Sequence, residues 1–432
     1  MTFAVYTLGC RVNQYESAAI AEALIGRGAT MLSPEDICDA YIINTCTVTA
    51  ESDRKARQFI RRAVKKNPNA YILVTGCYAQ READKISRIE GVDYICGSRN
   101  KSSVVDALFS LEKSGKKNAY PEILPCELEK HGFEPMSISS FERTRAYVKI
   151  EDGCENRCAY CVIPSVRGKV TSKPHNAVLN EVSALAKSGY REVVLTGIET
   201  SSYGKDIGDD LVSLVRDVDK IEGIERIRFG SLDPVSANAR FADEISSLSH
   251  VCHHFHLSLQ SGCDATLARM RRKYNSQTVR KNMEYLRKKM PDVCFSADII
   301  VGFPGESEEE FSQTLEFLKE INLLHAHVFC YSKRPGTEAQ SMPCQIDEET
   351  KKKRNRIISQ ACEESKYSII RENMGKVTPV LFESTEDGYA TGHTDNFIEV
   401  KAKCGENVRG KTLDCEIFEI ADGTAIAKIL NK

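Results

Sequence analysis

No stretch of this 432-residue chain reaches the roughly 18 uncharged apolar residues that a membrane-spanning helix requires. Its opening residues, "MTFAVYTLGC", lack the basic and long apolar regions of a secretory leader. Together these absences predict a soluble, cytoplasmic protein with no membrane partner. The formal net charge is only −2, so no global excess of either sign points to a nucleic-acid or acidic partner, and charged faces must be sought locally. No acid–base pair or nucleophilic triad stands out. Cysteine is plentiful, but the number, 17, is odd and the residues are scattered through patterned segments. That argues against a disulfide framework and for thiols or metal ligands. A fourth cysteine is also missing beside "EDGCENRCAYC", where Cys154, Cys158 and Cys161 share one short loop. Closed zinc sites and ordinary iron–sulfur clusters take four protein ligands, so three leave one coordination position free for chemistry.

The length predicts about three domains. The first hundred residues alternate strand-like and helical runs: "FAVYTLGC", "ESAAIAEALIGRG", "DAYIINTC", "ESDRKARQFIRRAVKK" and "AYILVTGC". This is a βαβαβ pattern and predicts a parallel sheet. Cys10, Cys46 and Cys77 each follow the end of one strand. Because parallel strands share one carboxyl edge, the three cysteines are expected to meet there, where ligands bind in open α/β sheets. Three buried structural thiols are the alternative.

A linker over about 115–140 precedes a second series of strand–helix units, with strands in "RAYVKI", "REVVLTG", "RIRFGS", "HFHLSLQ", "FSADIIVG" and "HAHVFCY". Six such units predict a partial parallel barrel whose site lies at the carboxyl ends of its strands. The Cys154 loop follows the first of these strands, which places it at that mouth. A charged helix follows, and the remaining short β-rich runs separated by turn residues predict a small β-barrel. The expected fold class is thus α/β: an open parallel domain over 1–115, a partial (β/α)6 barrel over 140–370 and a small β-barrel over 371–432.

The C-x3-C-x2-C spacing resembles the signature of radical S-adenosylmethionine enzymes. The resemblance implies a four-iron four-sulfur (4Fe-4S) cluster on Cys154, Cys158 and Cys161, its open iron binding S-adenosylmethionine. Cysteine-ligated clusters reach the low end of a range of roughly −700 to +450 mV, as reductive cleavage of a sulfonium demands. A zinc loop completed by a distant His or Cys is the alternative. By position, Tyr160 is expected near the adenine; Gly197, Glu199 and Ser231 are candidates for the methionyl and ribose groups. Gln260 and Arg272 are further candidates for cofactor or substrate contact. The resemblance leads one to expect His at position 199, where this chain has Glu.

Over essentially its whole length the chain resembles the methylthiotransferase family, through "TLGCRVNQYES", "INTCTVT", "VTGCYAQ", "HLSLQSGCDATLARMRRKY", "DIIVGFPGESEEEF" and "YSKRPGTEA". The resemblance implies a second, auxiliary 4Fe-4S cluster on Cys10, Cys46 and Cys77. One S-adenosylmethionine would supply a methyl group and another the radical. The C-terminal segment resembles the TRAM module, which is associated with tRNA. Tyr389 and Phe397 are candidates for base stacking or for barrel core, and "RKARQFIRRAVKK" and "RMRRKY" are candidate phosphate contacts or solvated faces.

Arg11, Val12 and Asn13 in "GCRVNQYES" resemble the branch acting on N6-threonylcarbamoyladenosine (t6A) beside the tRNA anticodon. The expected product is its 2-methylthio derivative. The tRNA anticodon stem-loop is the expected macromolecular partner of a monomer, with an electron donor and a sulfur source unnamed by the sequence. The alternatives are methylthiolation of a ribosomal-protein aspartate, a radical enzyme of unrelated chemistry, and a non-enzymatic zinc or RNA-binding protein.

Overall fold

The apolar runs "TFAVYT", "AYIINT" and "YILVTG" form the centre of a six-stranded sheet because every residue of Ala40–Thr45 and nearly every residue of Tyr71–Gly76 is buried on both faces. Each fully buried Ile, Leu or Val there contributes about 1.5–3 kcal/mol. The computed structural model describes residues 1–124 and 126–430. Pro125, in the expected linker, and Asn431 and Lys432, at the end of the expected C-terminal barrel, lie outside the described residues.

All pairings in this first sheet are parallel, in the order Thr30–Met31, Thr2–Thr7, Ala40–Thr45, Tyr71–Gly76, Tyr94–Cys96, Glu122–Leu124. The strand order reverses between Thr2–Thr7 and Ala40–Thr45, which opens a crevice beyond their carboxyl ends. Glu122–Leu124, within the linker, is one of the two edge strands, Thr30–Met31 the other.

The central unit has the expected six parallel strands. Arg145–Lys149, Glu192–Thr196 and Arg226–Phe229 form one sheet. Ser231–Leu232, His254–Gln260, Cys294–Val301 and His325–Cys330 form the other. Gly230 alone separates Phe229 from Ser231, so the third strand carries the partial barrel from one sheet into the next. In the last strand Ala326, Val328 and Cys330 pack on the core, whereas His325, His327 and Phe329 are exposed on the opposite face.

One continuous hydrophobic core crosses the boundary between the first two units, joining Phe3, Tyr15, Ile20 and Ile42 to Tyr147, Val148 and Val182. Tyr15 also donates to Glu181 at 2.9 Å and to the Met136 carbonyl at 2.7 Å. The two units are therefore seated on each other as one packed body.

After the 25-residue helix Glu348–Glu372, capped by Asp347, five strands close into a barrel. Its strands are Val377–Glu386, Tyr389–Thr394, Glu399–Lys403, Thr412–Ala421 and Thr424–Ile429, antiparallel except for the pair Glu399–Lys403 with Thr424–Ile429. This barrel docks on the amino-terminal ends of the central strands. Arg145 pairs with Glu383 at 2.9 Å, and Arg226 donates to the His393 and Pro379 carbonyls at 3.0 and 2.7 Å. Phe397 lies at this joint, stacked 4.6 Å from both His254 and His393 with Arg145 and Arg228 over its ring. Its φ of 72° is one that bulky residues avoid, and the joint holds it there. Phe397 is thus a plug between domains and not a free stacking platform.

Candidate functional site

Each of the three N-terminal cysteines sits where a strand gives way to the next element. Cys10 caps the helix Arg11–Gly26, Cys46 follows Ala40–Thr45, and Cys77 opens the helix Cys77–Ser87. Two of the three thus lie at helix amino termini. Glycine is required at both approaches. A Cβ on Gly9, at φ +98°, would stand 2.7 Å from the Cys46 Cβ, and one on Gly76 would stand 2.4 Å from the Thr45 carbonyl. Burial, and then the neighbouring Cys77 and Cys10, push the Cys46 thiol up to about 12. The three thiols therefore share one pocket at the sheet's switch point.

Cys154, Cys158 and Cys161 lie in the loop after the short strand Glu151–Asp152. Burial pushes both Cys154 and Cys161 up to about 12, helped by Glu199, Cys161 and Cys158 at Cys154 and by Cys158 at Cys161. Each sulfur of this loop accepts an N–H: Cys154 from the Asn156 backbone at 3.4 Å, Cys161 from the Ile163 backbone at 3.4 Å, and Cys158 from Arg272 Nη1 at 3.3 Å. In the N-terminal pocket Cys77 accepts from Arg167 Nε at 3.1 Å. Three cysteines with N–H donors aimed at sulfur suit cluster-bound thiolates. Among the described residues no three His, Cys, Asp or Glu side chains are gathered around a single-ion position. A four-iron cluster puts each thiolate on a different iron, so its ligands need not converge on one point.

Around the Cys154 loop the structure links several of the expected residues. Asn156 donates to Glu199 at 3.1 Å, and Arg272 donates to Asp233 at 3.0 Å and to the Ser258 carbonyl at 3.1 Å. Burial, then Asp233, push the Glu199 carboxyl up to about 7. Gly197 is a close-approach position, since a Cβ there would meet the Glu151 carboxylate at 2.5 Å. That carboxylate accepts from the Glu199 backbone at 2.8 Å. Tyr160 packs at the mouth beside Met270, Phe303 and Tyr331. Half-buried Ser231 and buried Gln260, which has φ 66°, stay outside this hydrogen-bond chain.

Family models match two parts of the chain. Residues 2–97 match the uncharacterised protein family UPF0004, and residues 148–318 match the radical SAM superfamily. The chain is 36% identical to the threonylcarbamoyladenosine tRNA methylthiotransferase MtaB of Bacillus subtilis, over 97% of this chain and 94% of that protein. It is 38% identical to the protein of the same name from Aquifex aeolicus, over 93% and 96%. With the tRNA-2-methylthio-N(6)-dimethylallyladenosine synthase of Pelotomaculum thermopropionicum it shares 34% identity over 89% and 87%. The chain belongs to the radical SAM methylthiotransferase family. Among solved structures, the radical S-adenosylmethionine methyltransferase TsrM of Kitasatospora setae shares the fold, with a TM-score of 0.59 at 12% identity over 78% of this chain and 76% of that one.

As a radical SAM enzyme, this methylthiotransferase uses a 4Fe-4S cluster and S-adenosylmethionine. Family membership removes the reading as a non-enzymatic zinc or RNA-binding protein. The packing of the methylthiotransferase also assigns places to residues that sequence reasoning missed. Arg334, in "YSKRPGTEA", donates to Thr47 at 2.8 Å and Asp53 at 2.6 Å and so fastens the segment after Cys46 to the barrel. Arg167 donates to Glu16 at 2.7 Å, Asp152 at 3.0 Å and Asn13 at 2.7 Å. Lys149 joins the same buried group, 2.7 Å from Glu16 and 2.6 Å from Asp152. The available signal was a charge inside an otherwise apolar run, as in "RAYVKI" and "VIPSVRG".

The two basic runs separate. In "RMRRKY" Arg269 pairs with Glu310, Arg271 with Glu338 and Arg272 with Asp233, so its arginines are spent within the protein. On Ala50–Lys66, by contrast, Lys55, Arg61 and Lys65 are exposed.

Proposed function

We propose that this methylthiotransferase converts t6A beside the tRNA anticodon to 2-methylthio-t6A, with Cys154, Cys158 and Cys161 holding the radical SAM cluster and Cys10, Cys46 and Cys77 holding a second. The observation that carries the reading is the union of the two cysteine sites in one packed body. Arg167, in the helix Ile163–Arg167 that directly follows the Cys154 loop, reaches the sulfur of Cys77.

A cluster held by Cys154, Cys158 and Cys161 would, with S-adenosylmethionine, supply the radical for carbon 2 of the adenine; one held by Cys10, Cys46 and Cys77 would supply the sulfur, and a further S-adenosylmethionine the methyl group. The chain's own residues position and enclose. Asn156, Glu199, Asp233 and Arg272 form the polar wall for S-adenosylmethionine. Tyr160, Phe303 and Tyr331 keep water from its mouth.

Arg11 supports t6A as the substrate. It follows Cys10 directly, its guanidinium lies 5.9 Å from the ring of Tyr147 in the first barrel strand, and its side chain has no hydrogen bond or ion pair among the described residues. Burial, with Arg145 and Arg228 nearby, lowers its pKa, so an anion arriving there would be stabilised. The threonyl carboxylate of t6A is such an anion, and an apolar dimethylallyl group is not. The closed C-terminal barrel, read as a TRAM module, presents exposed Tyr389 with Lys401 4.7 Å over its ring. With Lys55, Arg61 and Lys65 these residues are the contacts offered to tRNA by a cytoplasmic monomer.

The test is incubation of the cluster-loaded enzyme with S-adenosylmethionine, a reductant, a sulfur source and, separately, t6A-containing tRNA and a ribosomal protein carrying the aspartate target. Methylthiolation of the tRNA alone is expected. Methylthiolation of the ribosomal protein alone would overturn the reading.

A further inference from the structure

The buried network beneath the N-terminal cysteine pocket does not balance its own charge. Arg167, Lys149 and Lys101 surround Glu16 and Asp152, and all five side chains are essentially inaccessible. Asn13 and Asn44 complete the hydrogen bonding, each accepting from Arg167 or Lys101. Arg99 adds a further cation, donating to the Asp152 carbonyl at 3.3 Å and to that of Lys169. The ion-paired core of Arg167, Lys149, Lys101, Glu16 and Asp152 thus holds three cations against two carboxylates, and Arg99 at its edge is a fourth cation. Isolated buried charge is costly, so a net positive network wants an anion beside it. The network reaches the acidic thiol of Cys77 through Arg167 Nε at 3.1 Å.

Resting on the reading that Cys10, Cys46 and Cys77 hold a second cluster, we propose that Arg167 is a positioning residue that fixes Cys77 and sets the reduction potential of that cluster. A cluster gains one negative charge when reduced by one electron. A guanidinium donating to a ligand sulfur, backed by excess buried positive charge, favours that form and raises the potential. The network draws its residues from both domains. Glu16, Asn13, Lys101 and Cys77 come from the first, and Lys149, Asp152 and Arg167 from the barrel. Arg167 therefore ties the potential of one site to correct seating of the other. The barrel site has its own counterpart, Arg272 on Cys158 at 3.3 Å.

The experiment is potentiometric EPR titration of the full chain carrying Cys154→Ala, Cys158→Ala and Cys161→Ala, so that only the N-terminal site is loaded, with and without Arg167→Lys. Lysine keeps the charge but loses the Nε donor. The expected result is at least a tenfold shift of the reduction equilibrium toward the oxidised form, about 59 mV for one electron. An intact cluster with an unchanged midpoint would overturn the proposal. Absence of iron from the triple variant before Arg167 is altered would instead overturn the two-cluster reading on which it rests. If Arg167→Lys prevents loading, Glu16→Gln is titrated in its place. It removes a buried negative charge while leaving Arg167, and a shift toward the reduced form is expected. No shift there overturns the proposal as well.

Discussion

The Asn156 side chain donates to the Glu199 carboxylate across 3.1 Å, joining the cysteine loop to the turn after the second barrel strand. Asn156 also gives its backbone N–H to Cys154, so one residue touches both a proposed cluster ligand and the proposed wall of the cofactor pocket.

This pairing makes a pH prediction for cofactor binding. Burial, then Asp233, raise the Glu199 carboxyl to about 7, so it ionises as pH rises through that value. As the contact for a cationic ammonium group it should bind S-adenosylmethionine more tightly at pH 8 than at pH 6. Equilibrium dialysis on the loaded enzyme checks this, and Glu199→Gln should flatten the dependence. The same raised pKa has the opposite effect on stability without cofactor: its contribution is present below the ordinary carboxylate pKa and is lost as pH rises through about 7.

Arg11→Gln tests the substrate side. Losing one charge-assisted contact of about 1.5–3 kcal/mol should lower kcat/KM on t6A-containing tRNA about 10- to 100-fold. Affinity for the same tRNA lacking the threonylcarbamoyl group should change little. Equal loss on both RNAs, read by fluorescence anisotropy, would remove Arg11 from carboxylate recognition.

Arg334 is buried and bridges from the barrel to Thr47 and Asp53, just beyond Cys46. Arg334→Met should strand the Asp53 carboxylate and loosen the segment carrying that cysteine. Iron and sulfide assays should show preferential loss of the proposed N-terminal cluster, while S-adenosylmethionine binding at the barrel persists. Full retention of both clusters would contradict this role.

The interdomain network predicts acid lability. Burial opposes ionisation of Glu16 and Asp152, but Arg167, Lys149 and, for Glu16, Lys101 hold both carboxyls below the usual range. Their stabilisation is present above the unfolded carboxylate pKa and is lost as pH falls through the lower folded values. Lys149→Ala deletes the buried ion pairs that Lys149 makes with Glu16 and Asp152 and should cost about 3–5 kcal/mol in denaturant unfolding.

Much of this was legible before folding. Strand runs such as "AYIINT" and "YILVTG" are apolar enough to demand a parallel sheet, and that topology alone brings Cys10, Cys46 and Cys77 to one edge. The barrel loop was equally plain, because its three cysteines are local in sequence. The partners of those cysteines were not. Arg167 meets Glu16 and Cys77 only after two domains pack, and no local pattern encodes a contact across that distance. Phe397 and "RMRRKY" show the converse: an aromatic and a basic run that read locally as nucleic-acid contacts are consumed by a domain joint and by ion pairs.

The most direct test of the central claim is mass spectrometry of tRNA nucleosides from cells lacking the gene, with and without its restoration. The account predicts that 2-methylthio-t6A is absent in the first, returns in the second, and fails to return with Cys77→Ala. Unchanged 2-methylthio-t6A without the gene, in a cell with no second enzyme of this family, would contradict it.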